Sequence, residues 1–187
     1  MANKQKVISV FGSSAPKPGS ADYQSAKTVG RLLAEAGFTV QTGGYIGVMS
    51  AASQGANEAG GHVIGVTSAQ IEQYRPTPPN QWVIEEVKCK GLRDRLLYLV
   101  DNCDGAIVMP GGIGTLSELS LIWSFVQVGE ISPLPIVAVG GINKDNVSDV
   151  IKKGADGVVA VSAVLNSVDV KKEVSDFIRI IKEVKSL

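Results

Sequence analysis

Short β-branched runs alternate with segments of helical period along the chain, and that alternation limits the folds open to it more than any other feature. KVISVFG (Lys6 to Gly12), FTVQTGG (Phe38 to Gly44), HVIGVT (His62 to Thr67), GAIVMP (Gly105 to Pro110), PIVAVGG (Pro135 to Gly141) and DGVVAVS (Asp156 to Ser162) read as buried strands. A short strand over Trp82 to Val87 follows IEQYRPTPPN, a proline-bearing loop that no central strand tolerates. Helical spacing covers Ala21 to Ala36, Gly47 to Ala59, Gly91 to Asn102, Thr115 to Val128, Lys144 to Lys153 and Asp169 to Lys185. In the first of these Ala26, Val29, Leu32 and Leu33 share a face, and in the third Leu92, Leu96, Leu99 and Val100 do. Continuous apolar strands separated by helices mean a parallel sheet covered on both faces, hence a doubly wound, Rossmann-like α/β fold of three layers. The 187 residues suit a single domain, residues 1–187.

Such sheets bind ligands beyond the carboxyl ends of their strands. Here those ends carry GSS (Gly12 to Ser14), TGG (Thr42 to Gly44) and PGG (Pro110 to Gly112). The strongest signal is IVMPGGIGTLSELSLIW, in which a strand enters, three glycines turn, and Thr115 opens a helix. Unpaired N–H groups and the dipole at a helix N-terminus hold a phosphate without any lysine, so Gly111, Gly112, Gly114 and Thr115 are expected to cradle one. The competing reading is a turn whose glycines serve only positive φ. Glu118 lies three residues after Thr115, where it either closes a capping box or faces the sugar carried by the phosphate, and spacing leaves both open. Arg93 and Arg95 in GLRDRLLYL cannot point the same way; Arg93 reads as a surface charge and one of the two as facing the cleft.

Eighteen basic side chains balance eighteen acidic ones, so no global field holds a polyanion, and no nucleic-acid partner is expected. No apolar run approaches the roughly 18 residues of a membrane span, and MANKQKV leads into a strand without a secretory h-region, which predicts a cytoplasmic protein. Cys89 and Cys103 lack metal or redox spacing and read as buried or half-buried thiols. His62 is the only histidine and reads as a strand-edge residue, which leaves no multi-histidine metal site. No cofactor is expected, because nothing places a Schiff-base lysine for pyridoxal phosphate near the loops.

KVISVFGSS, TGGYIGVMSAASQGANEAGGHVIGV and RLLYLVDNCDGAIVMPGGIGTLSEL resemble, over about Val7 to Val128, the family once labelled lysine decarboxylases. It is now associated with the Lonely Guy (LOG) phosphoribohydrolases and includes molybdenum-cofactor carrier-like proteins. The resemblance implies a Rossmann-like homodimer that takes a nucleoside monophosphate, or another phosphorylated small molecule, and releases the base and ribose 5-phosphate. Carried over by position, it makes Arg95 and Glu118 catalytic and assigns phosphate contacts to Gly111, Gly112, Gly114 and Thr115, with Ser14, Gly43 and Gly44 beside them. Leu96 stands where plant-type enzymes carry lysine, and Thr42 where they carry a further glycine. A homodimer face on Leu121, Trp123 and Phe125 and a core role for them are equally compatible with the pattern.

From Pro135 the resemblance changes. PIVAVGGINKDNVSDVIKKGADGVVAVSAVLNSVDVKKEV resembles the last two βα units of thiamin-phosphate synthase, a TIM barrel whose closing loops form a phosphate site. It implies a second site at Gly140, Gly141, Ile142, Val161 and Ser162. The chain then reads as a LOG-like part, 1–134, whose sheet is completed by 135–187, either a natural fusion or an engineered chimera.

Overall fold

The computed structural model describes residues 5–153, 155–160, 163 and 167–186, and the chain divides into two compact units, Met1–Leu134 and Pro135–Leu187. In the first unit β1 (Val7–Phe11), α1 (Ala21–Glu35), β2 (Thr39–Thr42), α2 (Val48–Glu58), β3 (Val63–Ser68), α3 (Ala69–Tyr74), β4 (Glu85–Cys89), α4 (Leu92–Asp101), β5 (Gly105–Val108) and α5 (Ile113–Val128) follow one another. Its strands lie in the order β4-β3-β2-β1-β5, every pair parallel. The chain winds outward from β1 to β4 and then returns to place β5 on the other side of β1, with Val10 opposite Thr42 on one flank and Ile107 on the other. That reversal between β1 and β5 makes the switch point at which open α/β sheets form a crevice.

Val10, Phe11, Val40, Val63 and Val66 fill the interior, with Ala51, Ala52 and Ala56 from α2 and Leu99 and Val100 from α4. Helices α1 and α2 pack closely because neither interposes a side chain: a Cβ on Gly30 would fall on the Ala52 carbonyl, and one on Gly55 on the Lys27 carbonyl. Tyr23, Ala26 and Gly30 therefore form the buried stripe of α1, and Leu32, expected on the inner face, is 51% exposed. The small residues of α2 pull the contact line round the helix, an effect of the partner that α1's own periodicity does not contain. Helix α1 opens at Ser20, whose hydroxyl accepts from Tyr23 N–H at 3.3 Å.

Three boundaries depart from expectation. The short strand runs over Glu85–Cys89, not Trp82 to Val87, because pairing with Ile64 to Ser68 of β3 sets its register. The proline-bearing segment begins with a turn and a half of helix, α3, before the loop proper. Helix α5 starts at Ile113, with Gly112 as its N-cap, so Thr115 lies inside the first turn rather than at its opening.

The second unit contains β6 (Ile136–Val139), α6 (Val147–Lys152), β7 (Gly157–Val159) and α7 (Val170–Lys185). Strands β6 and β7 are parallel, and Asp156 ties the pair by accepting Ile136 N–H at 2.9 Å. Val147, Ile151 and Phe177 make its core, with Ile180, Ile181 and Val184 of α7 packed against them. Asp169 caps α7 by accepting Lys172 N–H at 3.0 Å. Both units have the parallel α/β construction expected from the alternation. Among the described residues no helix is long and apolar enough to cross a membrane.

Candidate active site

Three loops that leave the carboxyl ends of β1, β2 and β5 meet the start of α4 and α5 around a cleft of about 400 Å³. Ser13 and Ser14 line it from the first loop, Gly43 and Tyr45 from the second, and Gly112, Ile113, Gly114 and Thr115 from the third. Ser13 joins two of these loops, its N–H donating to Pro110 at 3.0 Å while its carbonyl accepts from Val48 at 2.9 Å. Arg95 and Glu118 occupy the cleft floor, and Ile71, Tyr74, Arg75 and Leu92 stand along one wall.

Positive φ does not explain the glycines of the third loop: Gly111, Gly112 and Gly114 all avoid it, whereas Gly44 at +78° needs it. Gly111 is glycine because a Cβ would strike the Thr115 side chain. Gly112 and Gly114 are different, since a Cβ on either meets nothing within 4 Å and would stand in the cleft. Among the described residues the N–H groups of Ile113, Gly114 and Thr115 have no acceptor, and no side chain caps the helix. Three unpaired donors at the positive end of a 16-residue helix, approached by a glycine-lined path, are an anion-receptive terminus.

The capping box does not form. With Gly112 as N-cap, Glu118 lies in the second turn, and its carboxylate turns inward to 3.7 Å from Arg95 Nη1. Both side chains are buried, 8% and 6% exposed. Of the two arginines, Arg95 takes the inward position and Arg93 is exposed. Its guanidinium donates from Nε to the Val66 carbonyl at 2.7 Å and from Nη2 to the Gly43 carbonyl at 3.2 Å. Nη1 faces Glu118. Burial pushes the Arg95 pKa down, and the Glu118 carboxylate opposes that shift.

Burial raises Glu118 to about 7, with Arg95 pulling it back toward the ordinary range. At neutral pH this carboxyl is therefore divided between its two forms, the range in which a carboxyl can both accept and donate a proton. The same shift costs stability. A carboxyl whose folded pKa lies above its unfolded value of 4.5 stabilises the fold in its protonated form, and that contribution disappears as pH rises through about 7. Glu118→Gln removes the titration. Its stability relative to the parent is expected to improve by on the order of 3 kcal/mol between about pH 5 and about pH 8.5, read from urea unfolding at each pH.

Ser14, Gly43, Arg95, Gly112, Gly114, Thr115 and Glu118 are thus brought to one cleft, while Gly111 lines the adjoining opening with Lys17 and Ser20. Gly44 sits behind, packed on Gly65 and Thr67, and its N–H donates to the Thr42 hydroxyl at 3.1 Å. Gly140 and Gly141 belong to the second unit, both at positive φ. The loop after them is closed by its own side chains: Asn143 Oδ1 accepts from Asp145 and Asn146 N–H, and Asn146 Oδ1 from Asn143 N–H. Val161 and Ser162 lie outside the described residues. His62 keeps its edge position, 3.0 Å from Glu85. Cys89 and Cys103 are half-buried free thiols. Trp123 is 46% exposed, Leu121 and Phe125 half-buried. Sequence reasoning missed Tyr45 and the α3 wall; the aromatic beside the TGG glycines was the available signal for the first.

A parallel α/β sheet with a glycine-lined helix terminus at its switch point defines the class as Rossmann-like, and the buried Arg95–Glu118 pair stands beside that terminus. The chain belongs to the SLOG cluster4 family, whose model matches residues 5–128. A thiamine monophosphate synthase model matches residues 117–164. The cytokinin riboside 5′-monophosphate phosphoribohydrolase LOG of Oryza sativa subsp. japonica is 31% identical over 159 residues, 83% of this chain and 64% of that protein. Thiamine-phosphate synthase of Methanosarcina mazei is 52% identical over 62 residues, 33% of this chain and 26% of that protein. The chain thus spans less than two thirds of the length of either relative. The molybdenum cofactor binding protein of Rippkaea orientalis shares the fold, with a TM-score of 0.65 at 22% identity over 97% of this chain and 98% of that one.

Proposed function

We propose that the chain binds a nucleoside 5′-monophosphate in this cleft and hydrolyses its N-glycosidic bond, releasing free base and ribose 5-phosphate. One observation carries the reading: the buried Arg95–Glu118 pair stands beside the unpaired amides of Ile113, Gly114 and Thr115 in a single cleft. The amides take the 5′-phosphate, which directs the ribose toward Glu118. The ionised carboxylate stabilises the oxocarbenium-like sugar and accepts a proton from the water that adds to C1′. The glycosidic electron pair leaves with the base, which takes a proton from solvent, the proton on Glu118 returning to solvent to restore the carboxylate, while the Arg95 guanidinium offsets the negative charge developing on the base. Kinship with LOG supports this chemistry. The same cleft in a carrier would hold the ligand without turnover.

Incubation with AMP and with an N6-substituted AMP, followed by chromatography of free base, tests the proposal. Release by the parent protein and none by Glu118→Ala sustains it; saturable binding without release assigns the cleft to a carrier instead. Neither binding nor release fits a chain whose two segments were joined without a selected activity. The phosphate position has its own check in Gly114→Ala. The helix gains roughly 0.5–1 kcal/mol from alanine, yet the methyl stands in the ligand's path. Affinity for ribose 5-phosphate by calorimetry is expected to fall about tenfold while the melting temperature rises.

A further inference from the structure

Tyr45 follows the two glycines that come after β2, and although it borders the cleft it is 6% exposed. Its hydroxyl is engaged by residues that do not line the cleft: Ser68 N–H donates to it at 2.8 Å, and it reaches the Ser68 carbonyl at 3.3 Å and Glu72 Oε1 at 3.4 Å. Its backbone is equally constrained. Asn80 donates from Nδ2 to the Gly44 and Tyr45 carbonyls, both at 3.0 Å, and from its backbone N–H to Gly44 at 2.8 Å. A ring tethered at both ends then lies 5.8 Å from Arg95 Cζ, within cation–π range.

Arg95 needs such a support. Its two hydrogen bonds, to Val66 and Gly43, fix one edge of the guanidinium, and Nη1 is held only by the 3.7 Å approach of Glu118. A long side chain bonded along one edge can still pivot, at a cost in ordering entropy that a rigid neighbour reduces. We infer that Tyr45 is the positioning residue for Arg95: its anchored ring keeps the guanidinium directed at Glu118 and at a bound ligand. Tyr45 itself moves no proton, because its hydroxyl is committed to the end of β3 and to α3. The inference rests on the proposed pairing of Arg95 with Glu118 in the working site, and it makes the aromatic beside TGG a determinant of that pair's geometry.

Tyr45→Phe, Tyr45→Leu and Tyr45→Met test it, with Arg95→Gln as reference, in protein carrying ¹³C-labelled glutamate. The first reading is the Glu118 carboxyl titration by NMR, for which Arg95 is the charged group that matters. Leucine is expected to raise the Glu118 midpoint in the same direction as Arg95→Gln, and phenylalanine, which keeps the ring and the backbone tether but loses the hydroxyl anchor, to raise it less. The second reading is base release from AMP: leucine lowers kcat about tenfold, and phenylalanine, with the ring face but one anchor fewer, about threefold. Methionine, which fills the volume without the ring face, stands in for leucine if that variant does not fold. An unchanged Glu118 midpoint in a folded leucine or methionine variant overturns the inference. If the parent protein releases no base, the hydrolase proposal fails, and the titration still decides the role of Tyr45.

Discussion

Replacing Glu118 with glutamine is expected to lower kcat for nucleoside monophosphate hydrolysis by about 10³-fold while leaving ribose 5-phosphate binding within about twofold. The size follows from what the carboxylate does in the proposed reaction. It meets positive charge at the sugar only as the glycosidic bond stretches, so its contribution belongs to the transition state and appears in kcat. Glutamine keeps the volume and loses both the charge and the proton acceptance. The parent's kcat/KM is expected to rise with pH through about 7, the value to which burial brings Glu118, because the ionised form works. The glutamine variant has no such rise in its residual activity. A variant with parental turnover, or a parent profile flat across neutral pH, would show that another group handles the proton. The same substitution stabilises the fold at alkaline pH, so the site holds a group that function requires and folding disfavours.

Gly43→Ala produces the second large effect without removing any group that reacts. A Cβ at this position falls on Arg95 Nη2 and lies 2.6 Å from Met49 Sδ. The guanidinium must swing away from the Gly43 carbonyl, and its approach to Glu118 goes with it. Misplacement on the order of 1 Å costs about 100-fold in rate, and kcat/KM is expected to fall by about that factor. Overpacking costs about 1–3 kcal/mol, so the variant remains folded at room temperature and the two losses separate in a thermal melt and a kinetic assay. Because Arg95 draws the Glu118 pKa down, displacing it also moves the pH profile upward. Retained activity would mean that the arginine is not held where Gly43 meets it.

Much of the architecture was legible in the chain because backbone periodicity and turn chemistry are local. VISVF, VIGVTS and GAIV are strands in sequence and in space, and the glycines after β1, β2 and β5 end at one edge, since parallel strands bring all their carboxyl ends to one edge. The helix after PGGIGT was equally plain. Its first residue was not, because Thr115 and Glu118 satisfy a capping pattern that Gly112 preempts by capping the helix three residues earlier. Leu32 looked internal for a similar reason: the glycine-to-backbone contact of α1 with α2 turns that face outward, and only the partner helix specifies it.

By itself the sequence determined the parallel α/β construction and the glycine-lined turn into a helix, and it supplied the candidates for chemistry beside that turn. Hydrogen-bond capacity, periodicity and backbone freedom are properties of residues and their near neighbours. The resemblance had pointed to Arg95; only the tertiary structure buried it while leaving Arg93 exposed, turned Glu118 inward as a buried acid rather than a cap and set Tyr45 beneath the guanidinium. Each of those outcomes depends on groups distant in the chain, Val66, Gly43 and Ser68, arriving at the same place. Burial, which shifts a pKa and aims a side chain, exists only after the sheet has assembled.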